Sequence, residues 1–375
     1  MRVLGLMSGT SADGVDAVLA QFSGPPRRPR WQILGSAMHP YPAALRRELV
    51  AVGQGEPRST GALLELAESV TEAQAAAALS CDPQGQAALV GCHGQTIWHR
   101  PATPERRGTS WQLLQGPLLA RLLQRPVVFD FRAADLAHGG QGAPLVPPCD
   151  EALLGRTGGW RALLNLGGIA NLTLIPPAAG PEQHQPVRGW DCGPANTLLD
   201  LAVQRFSDGA LGHDAGGAWA LQGKVQEPLV QRWLQEPYLQ QAPPKSTGRE
   251  LFGRADLQRR LAQLQAGGCD PAGALATLAA FSAAAVAQDL THGPRPIELL
   301  VAGGGARNRA VMQQLAWRCS GITVRPLQDA GIADSVREAL CFALLAWWHW
   351  CGVAGSAPSV TGATRPAVLG VMARP

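Results

Sequence analysis

A chain of 375 residues, 46% apolar and 16% charged, is long enough for two or perhaps three domains with sizeable cores and is neither disordered nor fibrous. Its net charge of +4 is small for the length, and scattered arginines such as Arg27, Arg28 and Arg30 in a Pro-rich loop indicate no nucleic-acid partner. Eight cysteines without a C-x-x-C pair point to reduced, mostly buried thiols, and with no charged leader or apolar run of about 18 residues, a cytoplasmic chain with no membrane partner is expected.

Strand patterns over 3–7, 15–22 and 31–38 form a meander, and helical stretches follow over 43–52 and 59–79. The first connection runs Gly9, Thr10, Ser11, Ala12, Asp13, Gly14, Val15, Asp16. It exposes backbone N–H groups and hydroxyls, and Gly9 and Gly14 permit positive φ and close backbone approach, so it suits a polyphosphate. Asp13 or Asp16 is then placed to hold a magnesium ion through water. The same composition also serves an ordinary Ser/Gly hairpin.

A buried strand over 87–91 delivers Cys92, His93, Gly94, Gln95 and Thr96 to its C-terminal end, where open α/β sheets place ligand groups. His93 reads as a ligand, as an acid or base, or as a structural histidine. The strand 126–129 delivers Asp130, Arg132 and Asp135 similarly. Arg132 reads as an ion-pair partner of Asp135 or as the binder of a substrate carboxylate, and the second is favoured. The Gly/Pro-rich piece 138–148 looks like a lobe boundary.

The second half repeats strand, glycine turn, strand: 161–164, then 165–170 with Gly167 and Gly168, then 171–175. Two related lobes, each offering one phosphate turn, are the expectation. Asp191 precedes a Gly-Pro turn before a helix over 195–205, and reads as an N-terminal cap or, the favoured reading, as a general base. A long Ala-rich helix spans about 273–290, and a strand over 298–302 runs into Gly303, Gly304, Gly305 and a helix from Asn308. That arrangement can pack a nucleotide's base or ribose against bare backbone. In the last long helix, 338–350, Trp347, Trp348 and Trp350 belong to core or interface, and Glu338 is left open. Neither a Walker-type loop nor a dinucleotide fingerprint occurs.

With these segments assembled, the chain resembles the anhydro-N-acetylmuramic acid kinases of bacteria along essentially its whole length. The resemblance rests on MSGTSADGVD at 7–16, HGQT at 93–96, DFRAADLAHGGQGAP at 130–144, NLGGIANLT at 165–173, DCGPAN at 191–196, KSTGR at 245–249, GGGARN at 303–308 and SVTGATR at 359–365. It implies an α/β, two-lobed actin-like ATPase fold with a ribonuclease H-like mixed sheet in each lobe. The lobes are expected at 1–137 plus about 355–375, and at 138–354. It implies ATP and Mg2+ as cofactors and a small-molecule sugar as partner, with a homodimer left open. The implied reaction opens 1,6-anhydro-N-acetylmuramic acid with water and phosphorylates O6, giving N-acetylmuramic acid 6-phosphate and ADP. By resemblance, Asp191 is the base, and the first turn with Gly167, Gly168, Gly303, Gly304, Gly305 and Asn308 contacts nucleotide. Arg132 meets the lactyl carboxylate, and His93, Gln95 and Glu338 surround the sugar. Cys192 departs from the family's usual threonine, and the spacing of 333–337 puts the role of Glu338 in doubt. A kinase for another sugar and an actin-like, nucleotide-switched binding protein are the alternatives.

Overall fold

In the computed structural model, which describes residues 1–103, 105–243 and 245–375, the opening apolar run forms strand β1 (Arg2–Ser8). It pairs antiparallel with β2 (Gly14–Ser23), which pairs antiparallel with β3 (Arg30–Pro40), completing the expected meander. Alternation explains the edge: every second residue of β3 is exposed and none is fully buried, whereas Val3, Leu4 and Leu6 of β1 are core. Helices α1 (Ala43–Gly53) and α2 (Thr60–Cys81) follow, α2 capped by the Ser59 side chain. Strand β4 (Leu89–Arg100) lies parallel to β1, with β5 (Thr109–Leu113) antiparallel on its far half. Then come α3 (Gly116–Leu123), β6 (Val127–Phe129) parallel to β4, α4 (Ala133–Ala137) and α5 (Pro147–Leu154).

The second sheet repeats the plan. Strands β7 (Arg161–Leu166), β8 (Ile169–Ile175) and β9 (Arg188–Pro194) form an antiparallel meander. Helices α6 (Asn196–Phe206), α7 (Glu227–Leu234), α8 (Arg254–Ala266) and α9 (Pro271–Asp289) precede β10 (Glu298–Ala302), α10 (Arg309–Arg318) and β11 (Thr323–Pro326). The chain ends with α11 (Asp334–Trp350), α12 (Pro358–Thr361) and β12 (Val371–Ala373), which pairs with β6 in the first sheet. Five strands in one sheet run β3-β2-β1-β4-β6, and the five in the other run β9-β8-β7-β10-β11. Both are an antiparallel meander continued by two parallel strands, the ribonuclease H-like arrangement expected for each half.

In α9 residues 273–286 are all buried, because alanine lets α6, α7, α10 and β9 approach closely. This helix has the length and apolar composition of a membrane span but is mostly buried in the core, and Gly273, Thr277 and Ser282 interrupt its apolar run. All eight cysteines are free thiols.

The chain divides into one unit of Met1–Gly155 with Ser335–Pro375 and another of Arg156–Asp334. These bounds differ from the expected 137/138 and 354/355, and packing explains the difference. A Cβ on Gly5 of β1 would overlap the Ala339 carbonyl, and one on Gly91 of β4 the Phe342 carbonyl, so α11 lies backbone against backbone on the first sheet. Arg337 of α11 donates from Nε and Nη2 to the two oxygens of buried Asp150 in α5, at 3.0 and 2.6 Å. Trp347 stacks on Phe22 with ring centres 5.3 Å apart, while the Trp348 indole donates to Pro26 O at 2.7 Å. Trp347 and Trp348 are therefore core, whereas Trp350 is exposed.

Gly5→Ala lowers stability by about 1–3 kcal/mol or more, because rigid backbone must move to admit the methyl group. A urea midpoint equal to that of the wild type contradicts this contact.

Candidate active site

The first glycine turn is held by side chains from the sheet. The Ser8 hydroxyl is shared between Gly14 O at 2.8 Å and Gln95 Oε1 at 2.6 Å, and Gln95 Nε2 donates to Gly9 O at 3.0 Å. Gln95 is thus a buried clamp on the start of the turn, while Ser8 ties that start to the far end at Gly14. The positive φ expected of Gly9 or Gly14 belongs to Ala12, at 50°, a conformation costly for a residue with a Cβ. Gly14 is required for another reason: a Cβ there would overlap the His39 carbonyl of β3. Thr10 and Ser11 are exposed, and Val15 is buried in β2. Asp13 makes a solvent-exposed ion pair with Arg46 at 2.6 Å, whereas Asp16 sits half-buried, its carboxyl pushed up to about 6 by burial and, second, by Glu338.

The strand expected to end at residue 91 continues to Arg100, since β5 supplies it with an antiparallel partner. Gly94, with φ of 76°, lies where its pairing with β1 is irregular and turns His93 toward Arg132. His93 Nδ1 donates to Gly94 O at 2.9 Å, leaving Nε2 as acceptor for Arg132 Nη2 at 3.0 Å. Burial, aided by the adjacent guanidinium, pushes the imidazole down to about 3, so it is neutral and acts as a support for Arg132 rather than as acid or base. Phe342 of α11 packs on it, ring centres 4.7 Å apart. Arg132 Nη1 donates to Gly142 O at 2.7 Å, and its buried Nε has no partner among the described residues. Burial pulls the Arg132 guanidinium down to about 10, with Glu338 and Asp135 opposing. Asp135 uses its oxygens on Gly142 N–H and the Thr361 hydroxyl, at 2.8 and 2.7 Å. Asp16, His93, Arg132 and Glu338 therefore share one corner of the first unit.

In the second unit Asp191 lies within β9, opposite Asn171, and not at the start of α6, whose N-cap is Ala195. Its Oδ2 accepts from the Ser246 hydroxyl at 2.8 Å and the Thr247 N–H at 3.0 Å, while its Oδ1 has no partner among the described residues. Burial raises the Asp191 carboxyl, the two donors pull it back, and Glu250 adds a smaller upward push. The Ser-Thr pair follows Lys245 in KSTGR, and no spacing in the sequence links it to a residue 55 positions earlier.

The second glycine turn is shorter than expected. Asn165 pairs with Asn171 and Leu166 with Ala170, leaving Gly167, Gly168 and Ile169 between the last paired residues, with Ile169 already paired to Pro194 of β9. The Gly167 and Gly168 carbonyls accept from the N–H groups of Ala195, Asn196 and Thr197 at 3.0–3.1 Å. Thr197 Oγ1 is buried without a partner among the described residues and would lie 2.6 Å from a Cβ on Gly168. A Cβ on Gly303, φ 84°, would come within 2.8 Å of Leu166 O, and one on Gly305 within 2.6 Å of Leu166 Cβ, so the triplet packs directly on this hairpin while Gly304 stays exposed. Asn308, expected to face nucleotide, uses Oδ1 to cap α10 through Ala310 and Val311 N–H, at 3.0 and 3.2 Å.

A family profile for anhydro-N-acetylmuramic acid kinases matches residues 1–375. The anhydro-N-acetylmuramic acid kinase of Synechococcus sp. (strain CC9902) is 63% identical, with all of both chains covered. That of Prochlorococcus marinus (strain MIT 9211) is 50% identical with the same coverage. Among solved structures, the activator of the 2-hydroxyisocaproyl-CoA dehydratase from Clostridium difficile with bound ADPNP is 12% identical, with a TM-score of 0.43 and 92% and 94% of the two chains covered. A ROK family glucokinase from Streptomyces griseus, in complex with glucose and AMPPNP, is 14% identical with a TM-score of 0.35, at 92% and 99% coverage.

Because His93 falls from its ordinary 6.5 to about 3 on folding, the unfolded chain binds a proton there that the native state refuses across that window. Its contribution to stability is complete above the window and is lost as pH falls through it. His93→Gln makes the fall in unfolding free energy between about pH 7 and about pH 4.5 shallower. Denaturant titrations with the same slope in both proteins contradict a neutral, buried His93.

Proposed function

Because this chain belongs to the anhydro-N-acetylmuramic acid kinase family, we propose that Asp191 is the base of a sugar kinase that joins ring opening to phosphoryl transfer. ATP, water and 1,6-anhydro-N-acetylmuramic acid give N-acetylmuramic acid 6-phosphate and ADP, in cell-wall recycling. The observation that carries the reading is the Asp191 carboxylate, one oxygen fixed by two donors and the other without a partner among the described residues. Oδ1 takes a proton from a water as that water's oxygen bonds to the anomeric carbon. The bond from that carbon to O6 breaks, and O6 takes the γ-phosphoryl group. Burial keeps the carboxyl above its ordinary range, which suits a proton acceptor working near neutral pH.

Arg132 meets the lactyl carboxylate of the sugar. Its guanidinium is held from both sides by His93 and Gly142, and its buried Nε lacks a partner among the described residues, a condition that favours an anion there. Gln95 acts through the turn it clamps, and Glu338 through its proximity to Arg132 and Asp16. The turn of Thr10, Ser11 and Ala12 is read as phosphate-binding, as is the hairpin of Gly167 and Gly168 with the Thr197 hydroxyl, which has no partner among the described residues. Magnesium fits Asp16 better than Asp13: Asp13 already has Arg46, while the Asp16 carboxylate is disfavoured by burial and by Glu338, a strain a cation relieves. No group of three or more His, Cys, Asp or Glu side chains forms a metal cage among the described residues, so the ion would bring water and phosphate oxygens with it. It would neutralise charge on the phosphates during transfer.

Asp191→Asn lowers sugar-dependent ADP release about a hundredfold or more while ATP binding persists. Release is measured by a coupled assay with anhydro-N-acetylmuramic acid and glucose side by side. More than a tenth of wild-type turnover in the variant refutes the base, and equal turnover with glucose refutes the substrate.

A further inference from the structure

The two donors on Asp191 sit on a segment that has no regular secondary structure of its own, and a buried ion pair lies directly beneath it. Lys245 Nζ is 2.8 Å from Asp289 Oδ1, with only 2% and 1% of the two side chains exposed. Asp289 ends α9, and its other oxygen accepts from the indole of Trp190 at 3.0 Å, one residue before Asp191. The Lys245 carbonyl accepts from the Asp191 N–H at 3.0 Å, and the Lys245 ammonium lies 5.0 Å from the centre of the Tyr238 ring. The Tyr238 hydroxyl in turn donates to Asp191 O at 2.7 Å. Asp191 and the segment 245–247 are thus joined on both sides of one ion pair, and the proposal that follows rests on reading Asp191 as the base.

We propose that Lys245 is a positioning residue for the reaction: its ion pair with Asp289 fixes the segment whose Ser246 hydroxyl and Thr247 N–H aim Asp191 and keep it ionised. A surface segment held only by its own hydrogen bonds would exchange those donors for water. A charge pair enclosed in the core has no such alternative, since either partner alone would be left uncompensated. The chain therefore places an expensive interaction where its effect is to fix geometry. The charged and titratable groups around Asp191 are Lys245, Asp289, Glu250, Tyr238 and Cys192. Of these, Lys245 supplies the positive charge nearest the segment and also carries its backbone.

The test compares the pH dependence of kcat in the full-length protein for wild type, Lys245→Met/Asp289→Asn and Ser246→Ala, with Asp191→Asn as reference. The double variant removes both charges together, so no unpaired charge stays buried. It is expected to remain folded by circular dichroism, to lose tenfold or more in kcat with KM for ATP within about twofold, and to begin its acid loss of activity at higher pH. Ser246→Ala, a change at an exposed side chain, is expected to move the acid limb in the same direction by a smaller amount. A folded double variant with wild-type kcat and acid limb overturns the proposal. Should the double variant not fold, an unmoved acid limb in Ser246→Ala overturns it instead. An active Asp191→Asn has a different meaning: it removes the base itself, whatever the Lys245 result.

Discussion

The first unit depends on a helix that meets two strands of its sheet backbone to backbone at two glycines. Gly5 and Gly91 leave β1 and β4 bare, and the carbonyls of Ala339 and Phe342 occupy the space. Close backbone approach of this kind has one fixed solution, because neither partner can yield by changing a rotamer. It joins segments more than 240 residues apart in the sequence and draws α11 into the first unit across the whole of the second. The site inherits its layout from this contact. Phe342 packs on the imidazole that supports Arg132, and Glu338 comes near enough to influence both Arg132 and Asp16.

The ionisable groups then divide by what accompanies their burial. His93 is buried beside a guanidinium and against a carbonyl acceptor, so both desolvation and charge make it a neutral support. Asp16 is half-buried near the Glu338 carboxylate, and both burial and that neighbour disfavour its charged form. Asp191 is buried with two donors on a single oxygen, so burial and hydrogen bonding oppose each other and the second oxygen has no partner among the described residues. Three side chains of ordinary chemistry acquire three different electrostatic environments from their neighbours.

Local patterns made the first meander, the β7–β8 hairpin and the helices α2, α9 and α11 legible in the sequence, because alternation and apolar runs are properties of neighbouring residues, whereas β9 and α8 were not legible in this way. The repeat of strand, glycine turn and strand likewise announced two sheets of one plan. What stayed hidden depends on distant partners. The extension of β4 needs β5, the anchoring of α11 needs glycines in β1 and β4, and the donors to Asp191 arrive from a segment 55 and 56 residues later. Composition also concealed which residue bears a constraint: in the first turn the left-handed backbone falls to Ala12, while Gly14 answers to the strand beside it. Asn308, beside the glycine triplet, is engaged in capping a helix, a role its position before α10 allows and its motif does not reveal.

Activation of water by Asp191, as opposed to activation of a sugar hydroxyl, is tested most directly by turnover in ¹⁸O-enriched water with ATP and 1,6-anhydro-N-acetylmuramic acid. The product is sampled early and corrected for exchange of the anomeric hydroxyl, measured on N-acetylmuramic acid 6-phosphate alone. One ¹⁸O at the C1 hydroxyl and none in the phosphate is the predicted result. Product with no label at C1, or with label in the transferred phosphoryl group, contradicts it.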